Sequence, residues 1–160
     1  MPQKILILLV MEFVLFYVNG HEEKSSLAFV IDRTSSMGKE INQVKITTDK
    51  VFNNVINSKT NHIDNFVLVT FDDPKVQVCT VTRNAEEFKN ALNKIELVTG
   101  GYCPEASMSG IQQALEITYP NSFIYVFTDA SANDYTKMEV VKSLSQKKST
   151  QVAEFFLLNY

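Results

Sequence analysis

The chain has 160 residues, of which 45% are hydrophobic and 21% are charged, and its formal net charge is −3. This composition suits a single domain with a buried core and excludes a disordered chain. No run of Lys and Arg marks a surface for nucleic acid, so a nucleic-acid partner is not expected.

The first 20 residues differ from the rest of the chain. Lys4 gives a positive start, residues 5–18 are almost all apolar apart from Glu12, and Gly20 is a small residue of the kind found at cleavage sites. The apolar run is short for a membrane span, which needs about 20 residues. We therefore predict a signal peptide at 1–20, a secreted mature domain at 21–160, and no membrane insertion after cleavage. An uncleaved anchor is the alternative.

The two cysteines, Cys79 and Cys103, would reach an oxidising compartment if the chain is secreted. They permit one disulfide but do not require it, because the distance between them cannot be deduced from spacing. The sequence leaves this pairing open.

Short apolar runs alternate with amphipathic segments along the mature chain. Continuous apolar runs predict strands buried on both faces, and apolar residues at three- and four-residue steps predict helices. The alternating run 76–82 predicts an edge strand. The predicted elements are strand 26–31, a helix from Met37 through Val55, strands 65–71 and 76–82, helix 85–95, a loop at 99–104, a helix that opens at Pro104 and Glu105, strand 122–128, helix 135–149 and strand 152–158.

This alternation predicts an α/β domain, with a doubly wound, mostly parallel sheet that carries helices on both faces. The sequence stops directly after the last predicted strand, without a covering helix. We therefore expect a domain that is truncated at its C-terminus and exposes apolar surface within residues 155–158.

Polar oxygen donors follow two of the predicted strands. Asp32 and Asp129 each stand at the end of a buried strand, and Thr34 and Ser36 lie in the turn after Asp32. Ligands of parallel sheets bind beyond the carboxyl ends of the strands. Carboxylates and hydroxyls suit a hard cation such as Mg²⁺, Mn²⁺ or Ca²⁺. The competing interpretation makes Asp32 and Ser36 helix caps and Thr34 a turn hydroxyl.

Three ordered motifs resemble one protein family. Residues 29–37 (Phe-Val-Ile-Asp-Arg-Thr-Ser-Ser-Met) resemble the Asp-x-Ser/Thr-x-Ser motif of von Willebrand factor A domains, and Phe127-Thr128-Asp129 resembles the later strand-terminal aspartate of that family. Residues 100–105 (Gly-Gly-Tyr-Cys-Pro-Glu) are similar to a loop of the hemicentin-like branch. The resemblance extends from Ser26 to the C-terminus, which makes it more specific than any single motif.

The resemblance implies a metal-ion-dependent adhesion site and no catalysis. Asp32, Thr34, Ser36 and Asp129 match the residues that hold the ion in this family, and Mg²⁺ is the expected ion, with Mn²⁺ or Ca²⁺ as alternatives. One coordination position of such a site stays open for a carboxylate of the partner. The resemblance therefore implies a secreted adhesion or matrix-recognition module whose partner is an extracellular protein with an exposed Asp or Glu.

The chain departs from the family pattern at the middle loop, where a threonine often helps to bind the ion. Tyr102 or Cys103 falls near its place, whereas Thr99 comes slightly early and Glu105 slightly late. Thr99 and Glu105 are the secondary candidates for a metal ligand, although an acid at the position of Glu105 also favours a helix start. Arg33 either repels the ion or contacts an acidic partner, and Arg33 and Tyr102 are the predicted partner-binding residues.

Two other functions compete with the adhesion module. The first is an incomplete, non-functional fragment of such a domain. The second is a metal-dependent phosphoryl-transfer enzyme that uses Asp32, but such enzymes need a second acid where this chain has Thr34. Serine catalysis is not expected, because the sequence contains no Gly-x-Ser-x-Gly elbow.

Overall fold

The computed structural model describes residues 24–58, 62–99 and 105–157. The predicted signal peptide, Tyr102 and Cys103 lie outside these ranges, so the predictions made for them stay predictions. Within the described ranges, no helix is long and apolar enough to cross a membrane.

Within the described residues, five strands form one sheet in the order β3-β2-β1-β4-β5. β1 pairs in parallel with β2 and with β4, β4 pairs in parallel with β5, and β3 is the antiparallel edge strand next to β2. The mostly parallel sheet and the edge position of the alternating strand agree with the sequence prediction. The strands are β1 (Ser25–Asp32), β2 (Ile63–Phe71), β3 (Val76–Thr82), β4 (Phe123–Thr128) and β5 (Gln151–Phe156).

Helices cover both faces of this sheet, which confirms the predicted fold class. They are α1 (Ile41–Ile56), α2 (Ala85–Asn93), α3 (Ser107–Ile117) and α4 (Met138–Lys148). The β1 side chains alternate between two cores: Phe29 packs under α1 and α2, and Val30 packs under α3 and α4. This division explains why β1 is a continuous apolar run, because both of its faces are buried.

Several predicted helix ends are wrong by a few residues. The helix predicted from Pro104 begins at Ser107, and the helix predicted to reach Ile95 ends at Asn93. The helix predicted at 135–149 is a 3₁₀ turn, Tyr135–Lys137, followed by α4, and Ser149 ends it in the left-handed conformation. Helix ends depend on capping groups from elsewhere in the fold, which periodicity does not contain.

Both ends of helix α3 are held by side chains next to or within α4. Asp134 precedes α4, and Lys148 is its last residue. Both carboxylate oxygens of Asp134 accept N–H bonds from the first turn of α3, and the ammonium of Lys148 donates to the carbonyls of Leu115 and Thr118 at the end of α3. A Cβ on Gly110 would lie 3.0 Å from Val30 and 3.1 Å from Phe71, so α3 approaches the sheet too closely for a larger residue. This close approach fixes the position of α3 against β1 and β2.

The last strand carries exposed aromatic surface, as the sequence predicts. Phe155 is 44% exposed and Phe156 is 52% exposed. Phe155 also stacks on Phe127 with ring centroids 5.2 Å apart, so one side of its ring remains in the core.

Candidate metal centre

Asp32 ends β1 with a side chain that is 0% exposed. Its Oδ1 accepts bonds from the backbone N–H of Thr34 at 2.9 Å and from the Thr34 hydroxyl at 2.7 Å. Its Oδ2 accepts a bond from the hydroxyl of Thr128, the last residue of β4, at 2.8 Å. Asp32 therefore organises the turn after β1 and joins it to β4. It is not a helix cap.

The hydroxyls of Thr34 and Ser36 extend these hydrogen bonds from Asp32 towards the surface. We call the contacts that join Asp32, Thr34, Ser36 and Asp129 the oxygen network. The Thr34 and Ser36 hydroxyl oxygens lie 2.9 Å apart, and Ser36 donates to Oδ1 of Asp129 at 3.0 Å. Thr34 is buried, whereas Ser36 is exposed. The structure thus brings together all four residues predicted to hold the ion, because β1 and β4 are adjacent parallel strands whose carboxyl ends meet at one edge.

Ser36 does not cap a helix either. It lies inside a 3₁₀ turn, Ser35–Gly38, and α1 begins only at Ile41, with Glu40 directly before it. The side chain of Ser36 is therefore free of helix capping and bonds within the oxygen network instead.

Burial raises the pKa of Asp32 above its usual range, and the nearby charge of Asp129 adds to this effect. The bonds from Thr34 and Thr128 act in the opposite direction, because they stabilise the ionised carboxylate. A cation beside this carboxylate would favour the ionised form further.

Glu105 is a second fully buried acid at this edge of the sheet, with 0% exposure. Neither of its carboxylate oxygens has a hydrogen-bond partner among the described residues. Burial raises the pKa of Glu105 to about 7, and the neighbouring charges of Asp32, Asp73, Asp129 and Asp72 contribute, in that order. Glu105 therefore lies within electrostatic reach of the predicted metal ligands.

The helix-start role considered for Glu105 is wrong. Helix α3 begins two residues later, and its first-turn N–H groups at Met108 and Ser109 donate to the carboxylate of Asp134 at 3.1 and 2.7 Å. The side chain of Glu105 makes none of these capping bonds.

For Arg33, Thr99 and Cys79, the structure shows contacts that do not decide the predicted roles. Arg33 donates through Nε and Nη2 to Oδ2 of Asp72 at 2.8 and 2.7 Å, so its guanidinium is already paired. Thr99 is exposed, and its neighbour Val98 forms a bridge with Thr34. Cys79 is a free thiol and partly buried. The contacts of Arg33 and Thr99 with an ion or a partner stay predictions.

Sequence reasoning missed two residues of this region. The role of Thr128 could have been predicted, because it is a hydroxyl residue that ends an apolar strand directly before Asp129. The role of Asp134 could not, since the N–H groups that it binds are 25 and 26 residues away in the chain.

Within the described ranges, no group of three or more His, Cys, Asp or Glu side chains could hold a metal ion by itself. An ion at this edge would therefore depend on the hydroxyls of Thr34 and Ser36. A cleft of about 660 Å³ lies beside β3 and α2, with Arg33, Cys79 and Lys94 in its wall, and none of the four predicted ligands lines it. The network opens at the surface through Ser36.

Comparison with known proteins decides the family. The model of the von Willebrand factor A domain matches residues 26–159. The chain belongs to the von Willebrand factor A domain family. Hemicentin-1 of Mus musculus and of Homo sapiens are each 40% identical over 131 residues, which cover 82% of this chain but 2% of those proteins. Human von Willebrand factor A domain-containing protein 7 is 40% identical over 128 residues, covering 80% of this chain and 14% of that protein. The chain thus spans a small part of these relatives.

Solved structures share the fold at low identity. Proximal thread matrix protein 1 from the mussel byssus has a TM-score of 0.65 and 18% identity, covering 82% of this chain and 35% of that chain. Another structure of that protein, described with a zinc-occupied MIDAS motif, has a TM-score of 0.61 and 20% identity, covering 81% and 34%. The SpRpn10 VWA domain has a TM-score of 0.61 and 20% identity, covering 84% and 76%. These likenesses confirm the fold.

Proposed function

We propose that this chain is a secreted, non-catalytic recognition module of the extracellular matrix. Asp32, Thr34, Ser36 and Asp129 hold a divalent cation, with Mg²⁺ preferred over Mn²⁺ or Ca²⁺, and the cation captures an acidic group of a protein partner. The observation that carries this proposal is the unbroken series of oxygen contacts from buried Asp32 to Asp129.

The spacing of these oxygens suits a small, hard cation. Ligand oxygens around an octahedral Mg²⁺ at about 2.1 Å lie about 3 Å from their neighbours. The Thr34 and Ser36 hydroxyl oxygens are 2.9 Å apart, and the Ser36 oxygen is 3.0 Å from Asp129. The hydroxyls would contact the ion, while Asp32 and Asp129 orient them and supply negative charge.

The position of the network favours capture of a partner over burial of a structural ion. Ser36 is exposed and Asp129 is partly buried, so an ion held between them would face solvent. A cation that keeps an open position binds a carboxylate more strongly than an exposed salt bridge does, which contributes only about 0–1 kcal/mol. An exposed Asp or Glu of an extracellular protein is therefore the expected ligand.

The similar proteins support the proposal of a cation-binding module of the extracellular matrix. Hemicentin-1 is one of the relatives with 40% identity, and a structure of the mussel thread protein is described with a zinc-occupied MIDAS motif. Together with the predicted signal peptide at 1–20, they favour a secreted matrix module that uses a divalent cation. The incomplete-fragment interpretation stays the alternative, and the titration below decides between them.

Phosphoryl transfer by Asp32 is disfavoured by its surroundings. The carboxylate is fully buried, and both of its oxygens accept hydrogen bonds, from Thr34 and from Thr128. A nucleophile needs an oxygen that can reach the substrate.

Calorimetric titration of Mg²⁺ and Mn²⁺ into the purified chain tests this function. Ser36→Ala is the sharpest variant, because Ser36 is exposed and its loss leaves the core intact. Asp64→Ala is the control. Asp64 lies at the start of β2, at the end of the sheet opposite the oxygen network, and accepts a hydrogen bond from Arg83. We expect saturable binding that Ser36→Ala abolishes and Asp64→Ala retains. Equal, absent binding in folded proteins would contradict the metal mechanism and support the fragment interpretation.

Capture of an acidic group has its own test. A surface bearing a short peptide with one Asp is compared with the same peptide bearing Asn, with and without a chelator. We expect retention only for the Asp peptide and only without the chelator. Retention that is insensitive to the chelator would contradict the role of the ion.

A further inference from the structure

Glu105 is held rigidly in place although its side chain is unpaired. Its backbone N–H donates to the carbonyl of Ser131 at 3.0 Å, and its carbonyl accepts from the N–H of Asn133 at 2.8 Å. These two bonds form a bridge to the segment after Asp129, so the Glu105 backbone is fixed beside the oxygen network. The fold thus sets the position of the Glu105 backbone, from which the buried side chain extends.

An isolated acid in such a position is costly. The side chain is 0% exposed, and neither oxygen meets a donor among the described residues. Burial of an ionised carboxylate without a partner costs several kcal/mol, so proteins normally pair such a group or bind it to a metal. A structural role would be served equally well by an apolar side chain.

The charged groups around Glu105 further raise the cost of burying its ionised carboxylate. The side chains that act on its charge are Asp32, Asp73, Asp129 and Asp72, all of the same sign. The guanidinium of Arg33 is engaged by Asp72 through both Nε and Nη2. The arrangement is therefore short of positive charge at one point, which a bound cation would supply.

Helix capping does not explain the residue, because Asp134 occupies the N-terminus of α3. Asp134 is also partly exposed and bonded to the Ser109 hydroxyl, so it needs no further partner. Asp134 therefore caps α3, and Glu105 has no part in that cap.

We propose that Glu105 is a direct ligand of the cation held by the hydroxyls of Thr34 and Ser36. The inference rests on the proposed metal site and adds to it a charged oxygen from Glu105, which comes slightly after the place where the family pattern has a threonine. A carboxylate in place of a neutral hydroxyl strengthens the attraction for the ion, because the charge interaction is added to the coordination bond.

The test uses Mn²⁺, whose electron paramagnetic resonance reports affinity and whose effect on water proton relaxation reports the waters bound to it. We expect Glu105→Gln and Glu105→Asp each to weaken Mn²⁺ binding by about tenfold or more. Glu105→Asp keeps the charge but withdraws the oxygens, so it separates a ligand from a distant charge. Glu116→Gln is the matched control, since Glu116 is an exposed glutamate of α3, and it should leave the affinity unchanged.

A second readout identifies direct coordination. In Glu105→Ala, the bound Mn²⁺ should gain a water in the vacated position and relax water protons more strongly than in the natural chain. Unchanged relaxation per bound ion, or unchanged affinity in Glu105→Asp, would overturn direct ligation. Thermal unfolding without metal checks the fold of each variant, and Glu105→Gln should melt at the same temperature as the natural chain or higher, because it removes a buried charge.

The Ser36→Ala variant separates this inference from the function on which it rests. If Ser36→Ala abolishes Mn²⁺ binding and Glu105→Gln leaves it intact, the metal site stands and the role of Glu105 is wrong. If the natural chain itself fails to bind Mn²⁺, the proposed function and this inference are both wrong.

Discussion

The hydroxyl of Thr128 donates a hydrogen bond of 2.8 Å to Oδ2 of Asp32, across 96 residues of sequence. The same hydroxyl accepts from the N–H of Ala130 at 3.2 Å, so it links the ends of β1 and β4 to the loop that follows. This contact holds the buried carboxylate in one orientation, and the turn hydroxyls bond to its other oxygen.

Replacing Thr128 with Val keeps the shape of the side chain and removes this bond. We expect the free energy of unfolding to fall by about 2 kcal/mol, because a buried carboxylate oxygen loses its donor. Mg²⁺ affinity should fall by about tenfold, since the carboxylate is no longer held in place. Urea unfolding and calorimetric titration measure the two effects.

Thr48→Val is the control for that substitution. Thr48 is a fully buried residue of α1, and its hydroxyl has no partner among the described residues. Its replacement should leave Mg²⁺ affinity unchanged and leave stability unchanged or raised by about 1 kcal/mol. A similar loss of Mg²⁺ affinity in both variants would show that the effect is not specific to Asp32.

Asp134→Ala should destabilise the domain by about 1–2 kcal/mol, because the first-turn N–H groups of α3 lose their acceptor. Hydrogen exchange should also become faster at Met108 and Ser109, because their N–H groups no longer donate to Asp134. Asn84→Ala removes the comparable cap of α2, where Asn84 accepts from the N–H groups of Glu86 and Glu87. That control should lower stability without faster exchange in α3.

Gly110 tests how closely α3 approaches the sheet. Gly110→Ala would bring its Cβ within 3.0 Å of Val30, and the resulting strain should exceed the gain in helix propensity of about 1 kcal/mol. We expect a net loss of about 1–2 kcal/mol in unfolding free energy. Gly38→Ala is the control, because among the described residues its Cβ would meet Leu97 at 3.9 Å, which is an ordinary van der Waals distance. A more stable Gly110→Ala variant would contradict the close approach.

The metal-free protein should lose stability as the pH rises from about 4.5 to about 7. Burial raises the pKa of Glu105 from 4.5 in the unfolded chain to about 7, so the folded state binds more protons in this window and ionisation at higher pH disfavours folding. The difference corresponds to at most about 3 kcal/mol. The raised pKa of Asp32 acts in the same direction.

Urea unfolding at several pH values, with a chelator present, measures this dependence. Glu105→Gln should flatten the profile between pH 4.5 and 7, because the titrating group is gone. A profile that is equally steep in this variant would show that another group causes it.

The sequence predicts much of this fold because the apolar runs mark the strands directly. β3 has the predicted bounds, and the run at 26–31 lies within β1. The four predicted ligands could be found because each lies at a strand end or in the turn beside it. The isolation of Glu105 and the bond from Thr128 to Asp32 could not be predicted, since both depend on contacts between segments that are distant in the chain.

The most direct test of the metal site is a crystal of the chain grown or soaked with Mn²⁺ and measured for anomalous scattering. We expect one strong peak at the carboxyl edge of β1 and β4, within about 2 Å of the hydroxyl oxygens of Thr34 and Ser36. A peak at another place, or a well-ordered edge without a peak at saturating Mn²⁺, would contradict it.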